Sequence, residues 1–495
     1  MDSSIEFDEL QRKLVPLWKS IQTLNQDEQT IVVVPSLGDA LAFLTPSELQ
    51  AYEERLLFML MLLRQPRAHL VYVTSEPIDP LVIDYVLSLL PGVIPSHARS
   101  RLHLVSPRDG STTGLSTKLL VRPRLLASIR ALILDPDRAH LVPFITTDAE
   151  RDLSLALGIP MYAADPKYLH LGTKSGGRRL FAEEGVAHPE GEEDVRTVND
   201  VVDALAALLG RRPDVRAAIL KHDAAVSGEG NASIDLAGVD ASDRTEIERR
   251  VRELRLESST TSLATYLVDL EREGGVVEER VVGEEVRSPS VQMRVTPLGE
   301  LELLSTHDQL LGGPSGQAYL GATFPADPAY ATLITREAAK VGRRLASEGV
   351  LGRFALDFVV VKQGDEWRPY AVEINLRKGG TTHPFLTLQF LTDGTYDPER
   401  AVFTAPNGQT KCFVASDHVE SEAYRGLTLE DLFDITVRHG LHFDHSRQTG
   451  IVFHMLASLG SKGRFGLTAV ENSPESAMAL YERTVRIVDD EVAAG

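Results

Sequence analysis

The chain has 495 residues with ordinary globular composition, 43% hydrophobic and 25% charged, so two to four domains are expected. Its 51 basic and 71 acidic residues leave a formal net charge of −20. That charge argues against nucleic acid or an anionic membrane surface as partner, while a local basic pocket can still hold phosphate. The single cysteine, Cys412, lies in an apolar Lys-Cys-Phe-Val-Ala run, which excludes an intrachain disulfide and suits a buried, inert thiol. The first ten residues, MDSSIEFDEL, read as no signal peptide, and the apolar stretch Leu56 to Leu63 is far short of a membrane span. A cytoplasmic protein is expected.

In chain order, the first third alternates apolar strands with amphipathic stretches. Ile31 to Val34, Leu70 to Thr74, Leu102 to Val105 and Leu141 to Ile145 read as strands. Glu48 to Leu63 and Ser116 to Leu134 read as the helical segments between them. This alternation predicts an α/β layer with a mostly parallel sheet. Phe181 to Leu209 is helical in pattern around a Gly-Val-Ala-His-Pro-Glu-Gly break. Ala217 to Leu220 and Ala232 to Leu236 read as short strands, Val276 to Val282 as a strand ending at a glycine. Ser290 to Thr296 and Glu300 to Leu304 flank a Pro-Leu-Gly turn. Phe354 to Val361 and Trp367 to Ile374 read as a hairpin around Gln363-Gly-Asp365, and a smaller helix, strand and helix segment follows residue 405. Oligomeric state is open, because the apolar Arg55 to Leu63 suits either core or a homo-oligomer interface.

A P-loop is absent, and Gly228-Glu-Gly230 is followed by Ser233 where the third glycine of a dinucleotide fingerprint belongs. What remains is Lys221 before Ser227-Gly228-Glu229-Gly230-Asn231, between two short strands. Such a turn can lay backbone N–H groups over phosphates with the lysine beside them, or it can be a plain flexible hairpin. Its glycines make it cheap to deform, so mobility without nucleotide and order with it are expected. A sharper signal is Asp357 inside an apolar strand, with Glu373 and Asn375 two apart on the next. Residues two apart share a strand face, and a connecting loop of three or five residues would bring Asp357 to that face. Three oxygen ligands then converge, which suits Mg²⁺ bridging nucleotide phosphates; the alternative is polar strand ends facing solvent. His439, His442 and His445, with Asp444 and His454 near in sequence, lack the spacing of a closed zinc set.

Asp in one strand and Glu-x-Asn-x-Arg in the next resembles the metal-binding end of the ATP-grasp superfamily. The resemblance covers Lys174 to Pro384 and implies an α/β chain with three parts. These are a preceding domain (1–165), an ATP-grasp core (166–404) and a small C-terminal domain (405–495). It implies that Lys174, in Gly-Thr-Lys-Ser-Gly-Gly-Arg, is the first ATP lysine and that Lys221 and the glycine turn are the second lysine and phosphate loop. Glu278 to Glu285 would be the hinge strand, the backbone of Glu279, Arg280 and Val281 meeting adenine and Glu285 the ribose. Thr74-Ser-Glu-Pro77, Arg122-Pro-Arg124, Ser227 to Asn231 and Gly450-Ile-Val-Phe-His454 are more closely similar to the peptide ligases of the pheganomycin type.

That likeness implies ATP and Mg²⁺ as cofactors, with a small-molecule acid and a peptide or amino-acid amine as substrates. The acid would be activated as an acyl-phosphate. Arg377 would steady the transferring phosphoryl group, with Arg353 and Arg294 as further candidates that are equally suited to surface ion pairs. The Lys-Gly-Gly-Thr-Thr-His-Pro stretch after Arg377 departs from the plain pattern. His383 there either binds the acyl substrate or accepts the amine's proton, or else simply sits in a helix start set by Thr382 and Pro384. Another ATP-grasp reaction and a catalytically silent nucleotide-binding regulator are the competing readings.

Overall fold

A computed structural model describes residues 3–22, 28–38, 44–225, 230–257, 261–312 and 318–494. Four parallel strands, Leu102–Val105, Ala68–Val73, Gln29–Val34 and Ala139–Pro143 in that spatial order, form the first sheet. Their near-continuous apolar sequences suit burial on both faces, and Val32, Val33, Leu70, Val71 and Leu141 are fully buried. The two long helical expectations between them are each broken. Pro46–Glu54 is α-helical, but Arg55–Arg64 winds as a 3₁₀ helix. Leu115–Leu120 and Pro123–Ala131 are separate helices because Pro123 cannot continue the first. Leu56, Leu57, Phe58, Leu60, Met61 and Leu63 are buried within the chain, so this stretch is core and not an interface.

A second, five-stranded sheet orders Gly191–Val195, Gly275–Glu279, Ala217–His222, Asn231–Asp235 and Arg255–Leu256. Gly191–Val195 falls inside the stretch expected to be helical, between the helices Lys174–Glu183 and Val198–Arg211. The strand expected to reach Val282 ends at Glu279. The apolar faces of Val198–Arg211, Arg244–Arg252 and Leu263–Glu273 cover one side of this sheet in a core of their own.

The third sheet has nine strands. Glu285–Arg287, Gly352–Gln363, Pro289–Val295, Leu301–Gly312 and Ala318–Phe324 run side by side, with Glu366–Asn375 paired to Gly352–Gln363. The segment after residue 405 does not make a sheet of its own. Cys412–Glu420 pairs antiparallel with Ala318–Phe324, and Arg464–Glu471 and Gly450–His454 continue the same sheet. Cys412 is buried there and its thiol is pushed up to about 11, first by burial, which keeps it unreactive. Buried Lys378 ties this sheet to the first one, its Nζ donating to the Pro143 carbonyl at 2.6 Å.

Candidate functional site

Three elements bring the site together. The first is the helix Lys174–Glu183, capped by Thr173, whose Oγ1 accepts from the Gly176 N–H at 2.9 Å. Gly176 has to be glycine, since a Cβ there would lie 1.9 Å from the His170 carbonyl oxygen. Lys174, at the first helical position, turns toward the large sheet. Its Nζ donates to Glu373 Oε1 at 2.6 Å and to the Ala225 carbonyl at 3.2 Å. The second element is the strand Ala217–His222, where buried Lys221 pairs with Glu278. Glu278 also faces buried Arg178 at 3.3 Å, and Arg178 donates to Glu193 at 2.7 Å and to the Pro189 carbonyl at 2.7 Å.

The third element is the hairpin, and its register decides the site. The turn has two residues, Gly364 and Asp365, with Gln363 opposite Glu366. A two-residue turn continued without interruption would set Asp357 against Val372. A β-bulge between Phe358 and Asp357 leaves Val372 unpaired, so that Asp357 lies directly across from Glu373. The bulge thus supplies the register for which the sequence requires a longer loop. Asn375 Nδ2 donates to Asp357 Oδ2 at 3.0 Å.

The electrostatics follow from this crowding. Burial and then the Glu373 charge push the Asp357 carboxyl up to about 7, against the opposing pull of Arg377, Gln309 and Lys174. Burial also raises Glu373, but Lys174 and Arg377 together outweigh it and hold that carboxyl below its usual range. Arg377 itself is lowered by burial, with Glu373 and Asp357 pulling the other way, and Nη1 donates to the Lys378 carbonyl at 3.2 Å. Two carboxylates and an amide oxygen on one face, with one carboxyl driven toward neutrality by burial and then by its neighbour, form a donor set that a divalent cation would suit. All are oxygen donors, which suits Mg²⁺.

Several expected residues lie elsewhere or are already engaged. Ser227, Gly228 and Glu229 lie outside the described residues. Gly230 meets Ala225 closely enough to exclude any Cβ, and Asn231 pairs with Lys221 in the strand ladder. Along the expected hinge, the Glu279 N–H donates to the Glu190 carbonyl at 2.7 Å and the Arg280 N–H to Ala217 at 2.9 Å. Those two donors serve strand pairing, which leaves the stretch from Val281 onward for contacts of other kinds. Glu285 pairs with Arg287 at 2.5 Å within its own short strand.

Arg294 is committed to Glu302 through Nε at 2.8 Å and lies over the Trp18 ring at 5.0 Å. Arg353 stands across the sheet from it, its guanidinium pushed down to about 10 by burial and then by Arg294. Neither contributes to the carboxylate cluster. The space a side chain would need at Gly380 is taken by the Tyr319 ring, 2.5 Å from a built Cβ, so that glycine serves packing.

His383 lies on the helix Thr382–Thr392 among Asp417, His454 and Arg55, not among the carboxylates. The other histidines of the C-terminal segment do not converge. His439 pairs with Glu491 at 2.7 Å and His445 packs on Phe443 at 5.3 Å. Arg178, Arg55, Tyr319 and Asp417 were missed from sequence. Only Asp417 carried the signal that singled out Asp357, an acid within an apolar strand.

A family model described as IQCH-like, ATP-grasp matches residues 167–262 and 249–399, the span that carries the lysines, the carboxylates and Arg377. The matched segment, residues 167–399, belongs to the ATP-grasp family. A second model, described as the PGM1 C-terminal domain, matches residues 431–484. Among curated relatives, L-propargylglycine–L-glutamate ligase of Streptantibioticus cattleyicolor is 29% identical over 433 residues, covering 86% of each chain. IQ motif-containing protein H of Danio rerio is 23% identical over 96% of this chain, which spans 50% of that longer protein.

Solved structures share the fold. Biotin carboxylase of Campylobacter jejuni aligns with a TM-score of 0.54 at 11% identity, over 92% of this chain and 90% of that one. N5-carboxyaminoimidazole synthetase of Staphylococcus aureus, solved with ADP, aligns at 0.52 and 11% identity over 93% and 97%. The biotin carboxylase domain of the Hydrogenobacter thermophilus 2-oxoglutarate carboxylase, solved with MgADP, aligns at 0.53 and 13% identity over 92% and 89%. Among the described residues no helix is long and apolar enough to cross a membrane.

Proposed function

We propose that this enzyme joins the carboxylate of an amino acid to the amine of a second amino acid or a peptide, through an acyl-phosphate. The observation that carries this reading is the Lys174–Glu373 contact. It links the smaller sheet's body to the paired carboxylates of the larger one, so cationic and metal-binding groups face a single space. The L-propargylglycine–L-glutamate ligase likeness over most of both chains supports an amino-acid acid and amine.

In this reading Asp357, Glu373 and Asn375 hold Mg²⁺, and Lys174 and Lys221 bind the phosphates. When bound, the cation neutralises charge on the nucleotide phosphates. Arg377, half-buried and without a carboxylate hydrogen bond among the described residues, faces the charge that develops on the γ-phosphoryl group. The acid's carboxylate oxygen bonds to the γ-phosphorus and ADP leaves. The amine nitrogen then attacks the acyl carbon, the C–O bond to phosphate breaks, and the proton lost by the nitrogen passes to the departing phosphate. Catalysis by positioning and fixed charge suffices for such a reaction. The division into domains at 165/166 and 404/405 and a cytoplasmic location belong to the same reading, although the large sheet runs through the second boundary.

The test is the product balance. ADP and phosphate are expected in equal amounts, one of each per amide formed. Hydroxylamine in place of the amine is expected to accumulate a hydroxamate, because the activated acyl group is intercepted. AMP and pyrophosphate would instead mean an adenylate and overturn the mechanism.

Lys221→Ala is expected to weaken ATP binding by about tenfold or more, roughly 1.4 kcal/mol, while leaving the amine's affinity unchanged. Arg178 still faces Glu278 in that variant, so the buried carboxylate keeps a cation beside it and the fold survives. Calorimetric titration with nucleotide decides this, and unchanged ATP affinity would remove Lys221 from the site.

A further inference from the structure

Behind Arg377 lies a cluster that the ligase reading does not use. His383 on the helix Thr382–Thr392, Asp417 on the strand Cys412–Glu420 and His454 at the end of Gly450–His454 converge in the interior. One ligand atom from each lies within 4.8 Å of the other two. His454 Nε2 is 2.9 Å and His383 Nε2 is 3.3 Å from the same oxygen, Asp417 Oδ1. The other Asp417 oxygen is held by Arg55, which stacks over Tyr52 at 4.2 Å and donates to Met455 Sδ at 3.3 Å.

A hydrogen-bond network accounts for half of this arrangement. His454 bonds to Asp417, and Arg55 balances its charge. His383 is left over: it is only 4% exposed, yet neither ring nitrogen has a hydrogen-bond partner among the described residues, because its approach to Asp417 is out of line. A buried polar group left so is costly. A cavity of about 30 Å³ lies alongside, lined by His383, His454, Arg55 and Glu54 on its polar side. That is room for one water, which needs about 10–15 Å³.

We propose that His383, His454 and Asp417 bind a first-row divalent metal ion, zinc foremost, with a water from the adjoining cavity as the fourth ligand. Two imidazoles and one carboxylate form a three-ligand set that zinc accepts with a water, and nitrogen donors disfavour Mg²⁺. Arg55 fixes the carboxylate from behind, the role that outer partners play for metal ligands. The Glu54 carboxyl on the cavity wall, pushed up to about 8 by burial, would ionise beside a cation and offset part of its charge. The ion would pin the helix that follows Arg377 to the two C-terminal strands. This site is separate from Asp357, Glu373 and Asn375 and does not depend on the proposed ligation.

The experiment uses the full chain, free of any histidine tag, stripped with a chelator and titrated with Co²⁺ alone and then with Zn²⁺. About one equivalent of Co²⁺ is expected to bind with the visible absorption of a tetrahedral nitrogen and oxygen site, and Zn²⁺ is expected to displace it. His383→Ala and His454→Ala are each expected to weaken it by at least roughly tenfold. Glu373→Gln is expected to leave it unchanged. Absence of a tetrahedral Co²⁺ spectrum in the folded wild-type chain overturns the proposal, whatever the variants do. So does a spectrum that survives both histidine substitutions or vanishes in Glu373→Gln.

Discussion

Glu373→Gln is expected to lower ligation by at least about a hundredfold, the scale on which a lost preorganised charge at a reacting centre is felt. Glu373 lies across the strand pair from Asp357 and accepts from Lys174 at 2.6 Å, so it touches both the candidate metal face and the phosphate lysine. Glutamine keeps an oxygen to accept from Lys174 but removes the charge that a divalent cation needs. The fold is expected to stay intact by circular dichroism. Amide formation under saturating ATP and Mg²⁺ is the measurement. Near-wild-type turnover in the folded variant would dismiss Glu373 as a ligand and leave it a partner of Lys174.

Asp357→Asn is expected to abolish ligation to a similar degree and, in the same protein, to raise thermal stability when Mg²⁺ is absent. The Asp357 carboxyl is pushed from 3.8 up to about 7, first by burial and then by the charge of Glu373. A carboxyl whose folded value is raised binds more protons in the native state than in the unfolded one between those two values. Stability therefore falls as pH rises from about 4 to about 7, and the loss is fully present above that. Asparagine has the same shape, still accepts from Asn375, and carries no charge, so it removes this loss. Melting at pH 8 is expected to shift upward by a few degrees, whereas near pH 4, where the aspartate is protonated, the two proteins should melt together. Mg²⁺ is expected to raise the melting temperature of wild type and not of the variant. An Asp357→Asn protein that melts lower at pH 8, or still responds to Mg²⁺, would show that the pair is a structural ion network and not a cation site. An active site that gains stability on losing function is the ordinary trade-off for strained charge.

The sequence by itself determined the parallel first sheet, because strands buried on both faces are written as unbroken apolar runs such as Ile31 to Val34. It also singled out Asp357, since a charge in an apolar strand has few reasons to be there, with Glu373 and Asn375 two apart on the next strand, Lys221 before the glycine turn, and Lys174 through the family resemblance. Whether Asp357 and Glu373 would meet was conditional on a loop length, and here the tertiary structure decided. A two-residue turn plus a bulge at Val372 reaches the required register, and bulges have no reliable signature in a single sequence. The helical reading of Phe181 to Leu209 missed the strand Gly191–Val195, whose five residues Gly-Glu-Glu-Asp-Val show no apolar alternation. That strand forms because Gly275–Glu279 offers it an edge.

The segment after residue 405 read as a unit apart, since nothing local says that Cys412–Glu420 will pair with Ala318–Phe324. That pairing assembles the inner cluster. Arg55 and Asp417 are 362 positions apart, and His383 and His454 reach the same oxygen from two further elements. Local patterning sets which residues are buried and which strands form. The partner of a buried charge depends on which strands become neighbours, and that choice is made by burial across the whole sheet.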